Sequence, residues 1–467
     1  MGLERLFDPR SIAVVGASRN PRKAGNIVLR NLLEGSRARI YPVNPKAEEI
    51  LGLRAYPDLA SVPERVDLVI SVVPAAPSVE VVRQAGELGI PFAVVLAGGF
   101  RETGPEGARL EEELRRIAKR TGIRIVGPNC VGIYVPRTGL NTIFIPREKA
   151  GYPPGGRIAF VTQSGAMGVL LMDRASREGW GFSAFVNLGN RVDITEVEVL
   201  EYLAGDEETR SIALYLESMA DVASLRDLAP RIVGEKPLLL LKGGRTSAGN
   251  RAAASHTGAM ATNVGIARGF SRQMGIHWVE DEMEMLLGAQ VLASQRPLEG
   301  DRIGIVTSAG GAGVVASDLL EAAGFSVPEL SAETQERLRE VLVPFASPRN
   351  PVDMTAEATD EQYDRVIGIL QESGDVDGLL VFALPQTAFI TEALEGVIKR
   401  WHEEGPKPTV FVTIGGDYSA SMKRRLRAAG VPVLDDIASG VAALRLLRER
   451  YAFLSKVKRS RAYSGAK

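Results

Sequence analysis

Cysteine occurs once in this 467-residue sequence, at Cys130, which excludes an intramolecular disulfide and fits a reducing compartment. Histidine occurs three times, as His256, His277 and His402, and no metal-ligand spacing links them, so no metal site is expected. An excess of charge of either sign is missing too: 56 Lys and Arg stand against 57 Asp and Glu, a formal net charge of −1. No global field would draw such a chain to nucleic acid or to an anionic membrane. Neither an apolar run of 18 residues nor a basic, apolar, small-residue leader occurs, so the expected address is the cytoplasm.

What is present is a long series of short β-branched runs alternating with helical stretches, among them "SIAVVGAS", "DLVISVVPA", "RIAFVTQSG", "PLLLLKGG" and "RIGIVTSAGG". Each run ends in Gly, Ser, Pro or Asn, the pattern of a parallel strand buried on both faces. The expected fold class is α/β, with three doubly wound domains. Pro/Gly-rich breaks at 146–156 and 294–301 mark transitions, and the domains are placed at 1–127, 128–296 and 297–467. "RIAFVTQSGAMGV" at 157–169 and "RIGIVTSAGGAGV" at 302–314 match at 7 of 13 positions in one register. The second and third domains are therefore read as duplicates of one flavodoxin-like unit.

Candidate sites cluster where strands end, as ligands do in such sheets. Near the N-terminus, strand, glycine turn and helix present free N–H groups to an anion. Ser18 stands where a dinucleotide fingerprint needs its second glycine, which disfavours a nicotinamide site. Arg19, Arg22, Lys23 and Lys46, with the strand ends "VVPAA" and "LAGGF", are suited to the phosphates of a nucleotide-like cofactor. Gln163, Ser164 and Gly165, at the strand-to-helix turn "VTQSGAMG", are suited to a phosphate or carboxylate, with Ser164 also a simple N-cap. Cys130 in "GPNCVG" reads as a buried structural thiol. His256, in the small-residue stretch "RAAASHTGAMATN", reads as a loop-borne imidazole for acid–base or nucleophilic work. Glu217, a carboxylate ending the strand "IALYLES", is a candidate to orient that ring.

Taken in order, "VGAS", "NPK", "VPA", "GPNCVG", "VTQSGAMG", "YLES" and "SHTGAMA" resemble the NDP-forming acyl-CoA synthetases over essentially the whole chain, and most of all their ADP-forming acetate–CoA ligase α subunits. The resemblance implies a Rossmann-like CoA-binding domain followed by two flavodoxin-like domains, as in succinyl-CoA synthetase. It implies CoA contacts from Gly16, Ala17, Ser18, Lys46, Val73 and Pro74, and a helix N-terminus at Ser164 and Gly165 that cradles phosphate. His256 would carry a phosphoryl group and Glu217 would orient it. An acyl-CoA, ADP and phosphate would be interconverted with a small carboxylic acid, CoA and ATP through acyl phosphate and phosphohistidine. No stretch reads as an ATP-grasp fold, so ADP/ATP and Mg²⁺ are expected on a separate ATP-grasp β subunit, with an α2β2 assembly. Residues 185–193 are expected to set the size of the acyl group. The alternative is a CoA-binding module of a protein acetyltransferase or an acyl-CoA sensor, in which His256 and Glu217 would have no task.

Overall fold

The computed structural model describes residues 2–219, 221–251 and 263–464. Apolar, β-branched runs form strands because they bury both faces under flanking helices. Among the described residues three large sheets result, the first and third wholly parallel and the second mixed. The first holds β1 (Ser11–Val15), β2 (Arg39–Val43), β5 (Leu68–Ser71), β6 (Phe92–Val95) and β7 (Arg124–Val126), in the order β2-β1-β5-β6-β7. A ribbon of β3 (Glu49–Ile50) and β4 (Leu53–Arg54) stands apart from it. The second joins β8 (Ile133–Val135), β9 (Leu140–Asn141), β10 (Gly155–Thr162), β11 (Phe182–Asn187), β12 (Ser211–Leu216), β13 (Leu238–Lys242) and β14 (His277–Val279). Its order is β14-β13-β12-β10-β11-β8-β9, with β8 antiparallel to β11. The third holds β15 (Ile303–Thr307), β16 (Val352–Asp353), β17 (Gly378–Ala383), β18 (Thr409–Thr413) and β19 (Val433–Leu434), in the order β16-β15-β17-β18-β19.

Counted along each sheet's parallel strands, all three follow the flavodoxin-like order 2-1-3-4-5. The sequence repeat coincides with this topology. In the second sheet β10 leads into the helix Gly165–Glu178; in the third β15 leads into the helix Gly310–Ala322. The Thr162 hydroxyl donates to the Ser164 carbonyl at 2.9 Å, and the Thr307 hydroxyl to the Ala309 carbonyl at 3.0 Å. One threonine thus shapes the same turn twice.

The chain divides into two compact units, Met1–Arg177 with Gly181–Glu280, and Glu178–Trp180 with Asp281–Lys467. The first unit contains the first two sheets, whose cores are filled by strand residues such as Ala13, Val69, Phe160 and Leu240. The second is centred on the third sheet and its flanking helices, with Tyr363, Val366 and Leu370 in the core. Among the described residues no helix is long and apolar enough to cross a membrane.

His402 lies in the last turn of the helix Ala393–Glu404 in the second unit, its Nδ1 2.7 Å from the Gln295 amide nitrogen. Burial pushes it down to about 4, against the opposing charge of Glu403. Between the ordinary value near 6.5 and 4, the unfolded chain takes up a proton that the folded chain refuses, so stability falls as pH falls. The cost approaches about 3 kcal/mol at the acid end and vanishes above pH 7. Calorimetric scans between pH 4.5 and 7 should show this slope, and His402→Gln should flatten it.

Candidate functional site

At the carboxyl end of the first sheet the chain turns sharply. Gly16 has φ +92°, and a Cβ there would lie 2.8 Å from Val73 Cγ1. A Cβ on Gly25, at the start of the helix Ala24–Leu33, would lie 2.1 Å from the Gly16 carbonyl oxygen. Only glycine permits this approach, which packs the helix N-terminus against the turn. The Asn44 amide donates to the Ala17 carbonyl at 2.7 Å, and the Lys46 N–H donates to Asn44 Oδ1 at 2.8 Å. Pro74 begins the helix Ala75–Glu87. Gly16, Ala17, Ser18, Lys46, Val73 and Pro74 thus meet on one rim, with Lys46 and Pro74 exposed to solvent. Arg19 lies close by, its Nε donating to the Glu49 carbonyl at 2.9 Å, while Arg22 and Lys23 are exposed.

A cavity of ≈ 300 Å³ opens between strand ends of the first and second sheets, and Gln163, Ser164, Gly165, Asn129, Cys130 and Phe144 line it. Gly189 and Asn190, from the stretch expected to set acyl size, complete one wall. Ser164 Oγ accepts from the Met167 N–H at 3.4 Å and caps the helix, whose first residues Gly165 and Ala166 line the cavity. A Cβ on Gly165 would lie 2.9 Å from Val131 Cγ1, so the helix N-terminus meets the 127–132 turn at contact distance. Cys130 is buried and its thiol donates to the Val95 carbonyl at 3.4 Å; burial pushes it up to about 12, where no thiolate forms at neutral pH.

Glu217 follows β12 directly. Its N–H and that of Ser218 donate to Gln163 Oε1 at 2.5 and 3.0 Å, and the Gln163 amide nitrogen donates to the Ser218 carbonyl at 3.3 Å. Gln163 therefore spends its amide on holding the 217–218 segment. The Tyr215 hydroxyl lies 3.5 Å from Glu217 Oε1, and burial with the Glu217 charge pushes it up to about 12. His256 lies in 252–262, outside the described residues.

Four polar residues of this region were not assigned individual roles in the sequence, although Asn187, Asn190 and Arg191 fall in the 185–193 stretch. Asn187 Oδ1 accepts from the Val131 N–H at 2.7 Å, and its amide donates to the carbonyls of Thr162 and Gln163 at 3.0 Å each. The Asn190 amide donates to Glu102 at 2.7 Å and to buried Glu111 at 2.9 Å, tying the wall of the cavity to the first sheet's helices. Burial raises the Glu102 carboxyl, but hydrogen bonds from Asn190 and from the Phe100 and Gly99 N–H groups outweigh it and hold the group below its usual range. Arg191 pairs with Glu196, and Lys242 is buried at the end of β13. For Asn187 and Lys242 a signal was available: a polar residue ending an otherwise apolar strand, as in "FSAFVN" and "LLLLK".

Comparison with known proteins bears on these same segments. A CoA binding domain model matches residues 10–136, a succinyl-CoA ligase like flavodoxin domain model 155–292, and a ligase-CoA domain model 303–423. The α subunit of ADP-forming acetate–CoA ligase II of Pyrococcus furiosus is 38% identical over 449 residues, covering 95% of this chain and 97% of that one. The chain belongs to the ADP-forming acetate–CoA ligase family. Within the family, the ADP-forming acetate–CoA ligase I of Archaeoglobus fulgidus is 36% identical over 98% of this chain, which spans 65% of that relative. The solved dinucleotide forming acetyl-coenzyme A synthetase 1 of Ca. Korarchaeum cryptofilum, in complex with phosphate and ADP, superposes with a TM-score of 0.90 at 34% identity, covering 98% of each chain. The expected α/β architecture, a CoA-binding domain followed by two further α/β domains of this family, is the observed one. Among the described residues no group of three or more His, Cys, Asp or Glu side chains is arranged to hold a metal ion.

Proposed function

We propose that this chain is the α component of an ADP-forming acyl-CoA ligase that works through acyl phosphate and a phosphoryl group on His256. The observation that carries the reading is the cavity where the helix N-terminus at Ser164 and Gly165 meets the 127–132 turn, with the Glu217 segment fixed by Gln163 beside it. The backbone N–H groups at a helix N-terminus suit a phosphate dianion. The CoA thioester would enter from the Gly16–Ser18, Lys46, Val73 and Pro74 rim.

Three balanced steps follow. A phosphate oxygen attacks the thioester carbonyl; the C–S bond breaks, and the proton lost by phosphate passes to the departing thiolate, leaving acyl phosphate and CoA. An imidazole nitrogen of His256 attacks phosphorus, the P–O bond to the acyl group breaks, and the acid leaves as its carboxylate. A β-phosphate oxygen of ADP attacks phosphorus, the P–N bond breaks, and ATP leaves with the imidazole restored. Glu217 would hold the second ring nitrogen during both transfers. ADP and Mg²⁺ would be bound by an ATP-grasp partner, in an α2β2 assembly. The relatives named as α subunits support a separate partner chain.

Incubating the chain, alone and with a co-purified partner, with radiolabelled acetyl phosphate and Mg²⁺ tests the reading. The expected product is an acid-labile, alkali-stable phosphoryl group on His256, located by tandem mass spectrometry. No label in either preparation, with a panel of acyl phosphates, would overturn it.

A further inference from the structure

Lys242 is the last residue of β13, opposite Leu216 in register, and is 1% exposed. Leu238–Leu241 precede it, so an apolar residue would continue the strand's packing without desolvating a charge. Its ammonium donates to the Glu217 carbonyl at 2.6 Å and to the Gly243 carbonyl. Burial drives the amine toward its neutral form, and the negative charge of Glu217 opposes this. Across the sheet, Gln163 Oε1 accepts the Glu217 N–H at 2.5 Å. Both backbone polar groups of Glu217 are therefore held by buried side chains, one just past the end of β10 and one ending β13, the strands that flank β12. Gly243 allows the chain after Lys242 to run alongside: a Cβ there would lie 2.7 Å from the Tyr215 hydroxyl and 3.3 Å from Glu217 Cγ.

We infer that Lys242 is a positioning residue that fixes Glu217 for phosphoryl transfer, acting through the Glu217 carbonyl and through its own charge. This rests on the reading of Glu217 given above. A buried cation at this strand end has a reason if the carboxylate at the end of the neighbouring strand must be held in place.

The two half-reactions separate this role from a structural one. Attack on the thioester needs neither Glu217 nor Lys242; phosphorylation of the histidine needs both. With arsenate in place of phosphate, the acyl arsenate hydrolyses and CoA release from acetyl-CoA runs continuously. In the full chain with its partner, Lys242→Met is expected to release CoA at the wild-type rate while labelling by acetyl phosphate slows about 100-fold. Lys242→Arg, which keeps charge and donors, should recover part of the labelling. Should the methionine variant fail to fold, Lys242→Gln is read by the same two assays. Labelling at the wild-type rate, or loss of both half-reactions together with a lower melting temperature, would overturn the inference. A wild-type chain that takes no label defeats the phosphohistidine reading instead, so the two failures are distinguishable.

Discussion

His256→Ala is expected to bring net turnover down to background and to abolish labelling by acetyl phosphate, while CoA binding measured by calorimetry stays at the wild-type value. The chain has two other histidines, and neither can substitute. His277 is buried within β14, and His402 sits against Gln295 in the second unit with its basicity depressed by burial. Covalent catalysis divides one difficult transfer into two, so deletion of the acceptor stops the cycle instead of slowing it. Arsenate-dependent CoA release should persist in the variant, because attack on the thioester precedes any phosphoryl transfer to the ring. Net turnover in His256→Ala would show that phosphate passes directly to ADP, and the role given to Glu217 would fall with it.

Much of this was legible in the sequence because the chemistry sits where strands end. The runs "RIAFVT" and "RIGIVT" announced buried parallel strands, and the turns after them announced helix N-termini. The repeat was legible for the same reason: Thr162 and Thr307 form the same hydroxyl-to-carbonyl bond, so both copies keep the residue. What the sequence hid was the destination of side chains. Gln163 read as a phosphate ligand, yet its amide is spent on Glu217 and Ser218, contacts 54 and 55 residues away in the chain. Asn190 carried no local signal, since its two carboxylate partners, Glu102 and Glu111, lie 88 and 79 residues earlier. Periodicity reports which face is buried; it does not report which distant backbone group a polar side chain will meet there.

Arg191→Met is expected to destabilise the first unit by about 3–5 kcal/mol. Arg191 Nη1 lies 2.7 Å from both carboxylate oxygens of Glu196, and Nη2 donates to the Ser218 hydroxyl at 2.7 Å. The two side chains are 11% and 3% exposed. Removing the guanidinium leaves Glu196 buried without its counter-charge and the Ser218 hydroxyl with only the Gln163 amide, at 3.4 Å, as donor. Arg191 also has φ +57°, a conformation costing a residue with a Cβ about 1–2 kcal/mol, which glycine would avoid. The side chain's contacts therefore outweigh the strain of the backbone that presents it. Arg191→Met with Glu196→Gln together should recover a large part of the loss, since no unpaired charge remains, and denaturant titration of the four species of this cycle measures the coupling. Acetyl phosphate labelling should fall in Arg191→Met even below its melting temperature, because Ser218 adjoins Glu217. A loss under about 1 kcal/mol in the single variant, or none recovered in the double, would mean that the pair is solvated in solution and that Gln163 and Lys242 alone hold the Glu217 segment.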